Sequence, residues 1–287
     1  MDRVREYYQL AKPGIVRGNL LSLLAGYFLA ASLNGFNLPA LVGVLVGTAL
    51  VIASGCVFNN YLDQSIDAKM DRTKKRALVQ GAISGRNALI YGAILGLVGF
   101  LFLWLLTNPL TTAVGILGIV WYVVIYGLAK RHTPWSTLIG SVCGATPPVA
   151  GYVAITGSFD LAALILFVIL TVWQMPHFYA IAIRREDEYR AGGIPVLAVV
   201  KGAAATKKRI IAYMVLFCAT TPWLTFTGYT GMMYLILSVG LSVYWLTVAI
   251  RTWKEPNDKK WAGRIFGVSL LVLLMQSVLI AVGHILP

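Results

Sequence analysis

The 287-residue chain is 58% hydrophobic and 12% charged, with a mean hydropathy of +0.76. A soluble globular domain carries about 25% charged residues, so this composition excludes that class and indicates an integral membrane protein. The net charge of +13 alone would suit a nucleic-acid binder, but the positions of the 24 Lys and Arg residues argue against it.

Apolar runs of about twenty residues predict nine spans. They lie at about Ile15–Ser32, Leu38–Phe58, Ala88–Thr107, Leu110–Ala129, Thr137–Ile155, Leu161–Ile183, Ile210–Thr227, Met232–Ile250 and Ile265–Ile285, with Pro147-Pro148 interrupting the fifth. One set of connections is short and lacks Lys and Arg, while the other set, with the N-terminus, holds all 24 once Arg17, just inside the first span, is counted with it. The positive-inside rule then places the N-terminus in the cytoplasm and the C-terminus outside, which requires an odd number of spans. The first run lacks a small-residue cleavage site and is read as a retained helix, and no Arg- and Ser-rich transit segment precedes it. The expected location is a bacterial plasma (inner) membrane. Cys56, Cys143 and Cys218 sit singly in separate spans, so neither a disulfide framework nor a zinc site is expected. The fold class predicted is an all-α integral membrane protein of about nine transmembrane helices. It would form one domain over 1–287, with loops at about 68–87 and 184–209 as a cap.

In chain order, the first chemistry comes where the second span runs into Asn59, Asn60, Asp63, Asp67 and Asp71. Residues four apart share one helix face, and like charges on that face repel, so a positive partner is required. A divalent metal on the stripe Asn59, Asp63, Asp67 and Asp71 fits. Asp71 is expected in the following loop, paired with Lys or Arg. That loop carries Arg72, Lys74, Lys75 and Arg76; carboxylates beside guanidinium and ammonium groups suit a metal–phosphate complex. Salt bridging and topology alone would also account for the loop.

The fourth span ends with Tyr122, Tyr126, Lys130 and Arg131. Such aromatics are ordinary at a membrane interface, yet facing the same chamber they would stabilise a carbocation. The sixth span ends in Trp173, His177, Arg184 and Arg185, followed by the acidic run Glu186, Asp187 and Glu188 and then Tyr189. An intramembrane histidine indicates a role: a haem axial ligand, a proton donor, or a helix-to-helix hydrogen bond. Ala191–Lys208 reads as a flexible lid.

These strings together resemble the UbiA superfamily of intramembrane prenyltransferases. The motifs are Asn59-Asn60-x-x-Asp63-x-x-x-Asp67, Tyr126-x-x-x-Lys130-Arg131, and a second acidic cluster after nine-span hydropathy. Trp173-Gln174-Met175-Pro176-His177-Phe178 and Gly193-Ile194-Pro195-Val196-Leu197 are similar to its haem-farnesylating branch. The resemblance implies a helical bundle with a central cavity opening near the cytoplasmic face. It implies Mg²⁺ as cofactor, farnesyl diphosphate and haem B as substrates, and haem O with diphosphate as products. Asp63, Asp67, Tyr126 and Lys130 would be catalytic, and Asn59, Asp63 and Asp67 would hold the metal. Asn59, Asn60, Arg72, Arg76, Lys130, Arg131, Arg184 and Arg185 would bind diphosphate. His177 and Trp173 would contact haem, and Asp187, Glu188 and Tyr189 would form the second acidic cluster. The chain departs from the superfamily pattern at Asn60, where many members have Asp, and at Ala77, where proline is common. Its second cluster also lacks two aspartates four apart. Protein partners implied are haem A synthase or terminal-oxidase assembly. The alternatives are a prenyltransferase for an aromatic quinone precursor, a cation-coupled transporter, and a non-catalytic haem-binding assembly protein.

Overall fold

The computed structural model describes residues 3–286; Met1, Asp2 and Pro287, the ends of the expected domain, lie outside the described residues. Among the described residues there is no strand, and nine helices are long and apolar enough to cross a membrane. These spans are Pro13–Asn34, Leu38–Leu62, Gly85–Leu106, Pro109–His132, Ser136–Thr156, Leu161–Arg184, Leu197–Phe226, Met232–Arg251 and Asp258–Val282. A short helix, Arg3–Leu10, precedes them.

Local chemistry sets several boundaries. The side chains of Asn37, Ser84, Asn108, Asp160 and Asn257 each accept from the backbone N–H three residues on, starting the second, third, fourth, sixth and ninth spans. Such caps contribute about 1 kcal/mol each by satisfying an orphan helix N–H. The fifth span is broken at Ala145, and Pro147 and Pro148 sit in the first turn of its second half, where a missing N–H is tolerated.

The seventh span corrects the expectation of a long loop at 184–209 and a lid at 191–208. Glu186–Ala191 is a helix and helical structure resumes at Leu197, leaving only residues 192–196 as a connection. Lys201, Lys207, Lys208 and Arg209 suggest solvated loop in the sequence, but Lys207 is buried. It pairs with Asp258 at 2.9 Å and lies over the rings of Trp253 and Trp261 at 4.9 and 4.8 Å. The run Ala203–Ala205 supports helix, and the one interruption is Gly202, whose φ of 78° only glycine adopts easily.

The second span packs along the third, the first along the fifth, and the sixth against both the seventh and the ninth. Small residues allow the close approaches. Gly43 and Gly47 of the second span face Leu106 and Gly99 of the third, and Ser54 Oγ donates to Gly92 O at 2.7 Å. The third and eighth spans turn Leu97, Leu105 and Ile236 outward, as lipid-facing helices do. At the end where the basic connections gather, the helices part around a cavity.

Candidate active site

The second span ends at Leu62, and Asp63 takes its C-terminal cap, its N–H donating to Asn59 O at 3.0 Å. A single further turn, Gln64–Asp67, follows, with Asp67 N donating to Asp63 O at 2.8 Å. The polypeptide therefore keeps turning in the same sense, and Asn59, Asn60, Asp63 and Asp67 all line one cavity of about 1230 Å³. All four are buried.

Each acid is matched by a cation from elsewhere in the chain. Lys130 Nζ donates to Asp63 Oδ2, and Arg131 Nη2 reaches Asp63 Oδ1 at 3.3 Å. Arg76 Nη1 lies between Asp67 Oδ2 at 2.5 Å and Asn60 Oδ1 at 2.9 Å. Lys12 Nζ donates to Asn59 Oδ1 at 3.2 Å. Lys12 is also the one non-glycine residue with a positive φ (51°) among the described residues, immediately before Pro13. That strained backbone aims a long side chain into the cavity, and burial pushes its ammonium down to about 8. Spacing in the sequence does not mark Lys12 as a site residue. Its contact with Asn59 spans 47 positions and leaves no periodic trace.

Four cations thus surround two carboxylates at the head of the cavity. Arg72 and Lys75 from the 68–84 connection add to its lining. Such an excess is unfavourable in a low-dielectric chamber unless an anion completes it. Asn59 Nδ2 is buried without a partner among the described residues, which leaves a donor ready for an anionic oxygen. Asn59 Oδ1 and the carboxylates of Asp63 and Asp67 form an all-oxygen set of the kind that binds hard divalent cations. The residues present therefore fit a metal–diphosphate pair.

Above the acids the cavity is aromatic. Residues Trp121–Tyr126 form a wide π-helical turn. Within it Tyr122 and Tyr126 stack, with centroids 5.8 Å apart and planes 10° from parallel. Lys130 Nζ lies 5.6 Å from the Tyr126 centroid. Gly140 makes room for that ring, since a Cβ there would stand 2.8 Å from Tyr126 Cδ2. Asp71 lies outside, exposed and paired with Lys74 at 2.6 Å.

A model of the UbiA prenyltransferase family matches residues 19–273, most of the chain. The chain belongs to this family. It is 49% identical over 284 residues to protoheme IX farnesyltransferase of Citrobacter koseri, covering 99% of this chain and 96% of that protein. It is 48% identical to the Salmonella typhimurium protein of the same name, over the same shares. Its fold matches a structure of digeranylgeranylglyceryl phosphate synthase, with a TM-score of 0.79 at 19% identity over 99% of each chain. It also matches an Archaeoglobus fulgidus UbiA homolog bound to DMAPP and Mg²⁺, with a TM-score of 0.70 at 15% identity over 93% and 99% of the two chains.

For this UbiA-family chain the structure revises the expected second acidic wall. Arg185 breaks the sixth helix, and the following turn directs Tyr189 into the cavity and the acids away from it. Asp187 is exposed and pairs with Lys259 at 2.5 Å, a contact that holds its carboxyl below the usual range. Glu188 meets Arg72 at 3.4 Å and Arg185 at 3.7 Å, and Glu186 meets Arg190 at 2.6 Å. Among the described residues no group of three or more His, Cys, Asp or Glu side chains converges as a metal cage. Burial raises the Tyr189 phenol, so that group stays neutral at the chamber wall.

Arg184 is also displaced from its expected diphosphate role. Its guanidinium lies 5.2 Å from the Phe266 centroid, and neither Arg184 nor Arg185 lines the cavity. Gln174, Phe178 and Ala182 form the cavity face of the sixth span, so the helical period turns Trp173 and His177 toward the ninth. There Trp173 Nε1 donates to Ser269 O at 3.1 Å, and His177 Nδ1 sits 2.7 Å from Ser269 Oγ. Of the three roles open to His177, the structure displays the helix-to-helix hydrogen bond; His177 and Trp173 are not part of the cavity lining, contrary to a haem site there.

Proposed function

We propose that the chain transfers the farnesyl group of farnesyl diphosphate to a vinyl group of haem B, with addition of water, releasing diphosphate and giving haem O. The observation that carries this reading is the head of the cavity, where Asp63 and Asp67 sit among Lys12, Arg76, Lys130 and Arg131 at the mouth of a largely apolar chamber. The near full-length similarity to proteins named protoheme IX farnesyltransferase supports the donor and acceptor, and relatives of the same fold are bound to prenyl diphosphates and Mg²⁺.

Asn59, Asp63 and Asp67 would hold Mg²⁺, which supplies Lewis-acid stabilisation of the leaving diphosphate. Lys130, Arg131, Arg76 and Lys12 provide preorganised positive charge where negative charge grows as the allylic C–O bond breaks. The Asn59 amide donates to a diphosphate oxygen. Tyr122 and Tyr126 present stacked π-faces to the allylic cation, and the haem vinyl carbons attack it. Water then adds to the porphyrin-side cation and releases a proton, leaving a hydroxyl-bearing carbon. The protein needs no covalent nucleophile; its work is orientation and exclusion of stray water. Residues 68–84 and the turn at 192–196 would cap the chamber. The basic end would face the cytoplasm of a bacterial inner membrane, with haem A synthase or terminal-oxidase assembly taking the product.

Purified protein given farnesyl diphosphate and haem B should yield haem O by mass spectrometry, and none of the prenylated product when 4-hydroxybenzoate replaces haem. Prenylation of the benzoate alone would overturn the acceptor assignment. Chelation of divalent metal should lower turnover by about two orders of magnitude, the scale of one lost electrostatic stabiliser, and added Mg²⁺ should restore it. Undiminished turnover after chelation would remove the metal from the reading.

A further inference from the structure

The cavity has two parts of different build. The first and sixth spans line only its head, reaching no deeper than Asn19 and Gln174. These lie about 10 Å from Lys12 and about 15 Å from Arg184 along their helices, at ~1.5 Å per residue. The second, fourth and fifth spans continue the lining to Thr48, Val114 and Ala150. Measured from Asp63, Lys130 and Ser136, those depths are about 22, 24 and 21 Å by the same rise. Three helices thus agree on one floor.

The head is open at its side, where Ile15 and Phe178 line the chamber yet are 44% and 41% exposed. The deep arm has no such exposed lining residue: Thr48, Val51 and Val114 are all buried. Behind it stands Leu103, which is fully buried. It fills the space a Cβ of Gly47 or Gly115 would take, at 2.7 and 2.9 Å.

We infer that this blind arm is a ruler for the donor's isoprenoid chain, with Thr48, Val114 and Ala150 as its floor, Val51 about one turn above it and Leu103 as the plug behind it. The inference rests on the prenyl-transfer reading and adds the residues that choose chain length. A farnesyl main chain of twelve carbons extends about 14 Å, taking bonds of ~1.5 Å at tetrahedral angles. Adding the C–O bond, the O–P–O span of ~2.5 Å and one hydrogen bond of ~3 Å to the cations brings the total to about 21 Å, level with the shallowest wall. One more isoprenoid unit adds about 5 Å and overruns that wall; one fewer leaves the apolar floor uncovered. The rigid macrocycle of the acceptor is left the broad, side-opening head.

The test offers geranyl, farnesyl and geranylgeranyl diphosphates to the wild type, Val51→Phe and Leu103→Ala, with haem B as acceptor and products identified by mass. In the wild type, farnesyl transfer should lead each neighbour in kcat/KM by roughly tenfold or more, the discrimination expected when a pocket misfits an apolar group. Val51→Phe should lose farnesyl transfer roughly tenfold relative to geranyl, and Leu103→Ala should raise geranylgeranyl relative to farnesyl by a similar factor. Because each variant is compared with itself across donors, a loss of folded protein cancels from the ratio. If one variant is inactive with every donor, the other decides. Ratios unchanged from wild type overturn the ruler. Absence of transfer from all three donors by the wild type instead overturns the proposed function.

Discussion

Asp63→Asn should lower haem O formation by about 10²–10³-fold in protein that inserts and folds normally, the usual scale for removing one preorganised charge-stabilising group. Asp63 is the carboxylate with the most partners in the chamber, meeting Lys130 at one oxygen and Arg131 at the other. The amide keeps the shape and one acceptor oxygen but loses the charge that would hold a divalent cation and set the two cations in place. Alanine would be a harsher and less informative change, because breaking a buried pair leaves Lys130 uncompensated and costs about 3–5 kcal/mol of stability. Turnover and diphosphate binding should therefore be measured separately. With Asn, binding of diphosphate by Lys12, Arg76 and Lys130 should survive better than turnover, since those cations remain. Turnover within threefold of wild type would sink the assignment of Asp63 to the metal and leaving group.

Much of this chamber was legible before the fold was known, for a physical reason. Asn59, Asp63 and Asp67 are brought together by helical periodicity, a local property that spacing reports directly. The nine spans are equally local, since hydropathy over about twenty residues measures the cost of crossing lipid. What escaped was phase and distance. The acids at 186–188 follow a span end just as Asp63 does, but the break at Arg185 rotates them out and Tyr189 in. His177 lies one position from Phe178, and that single step of about 100° separates the ninth-span contact from the cavity wall. Lys12 needed tertiary structure to be seen at all. Lys207 misled in the other direction, because a lysine caged by Trp253, Trp261 and Asp258 carries the same one-letter signal as a lysine in solvent.

Gly151→Ala should be among the most destabilising single-methyl changes in the chain. A Cβ at Gly151 would lie 2.1 Å from Leu23 O and 2.9 Å from Tyr27 N of the first span. Gly26, on the opposite side of the same seam, faces Pro148 O at 2.0 Å in the same sense. Neither obstacle is the yielding tip of a side chain; both are backbone. The first and fifth spans must separate by about 1 Å or more, which undoes the packing of Leu23, Tyr27, Val149 and Tyr152, all buried at this seam. Overpacking of this kind costs about 1–3 kcal/mol and at times more, with only a small offset from alanine's better helix propensity. The change also reaches the site, because Lys12 immediately precedes the first span and the fifth carries Gly140 against Tyr126. Melting of the detergent-solubilised protein, followed by tryptophan fluorescence, should fall for Gly151→Ala while Gly240→Ala, where a Cβ meets nothing within 4 Å, melts at or above the wild-type temperature. Equal melting of the two variants would show that the first and fifth spans do not approach as closely as this seam requires, and the placement of Lys12 beside Asn59 would fall with it.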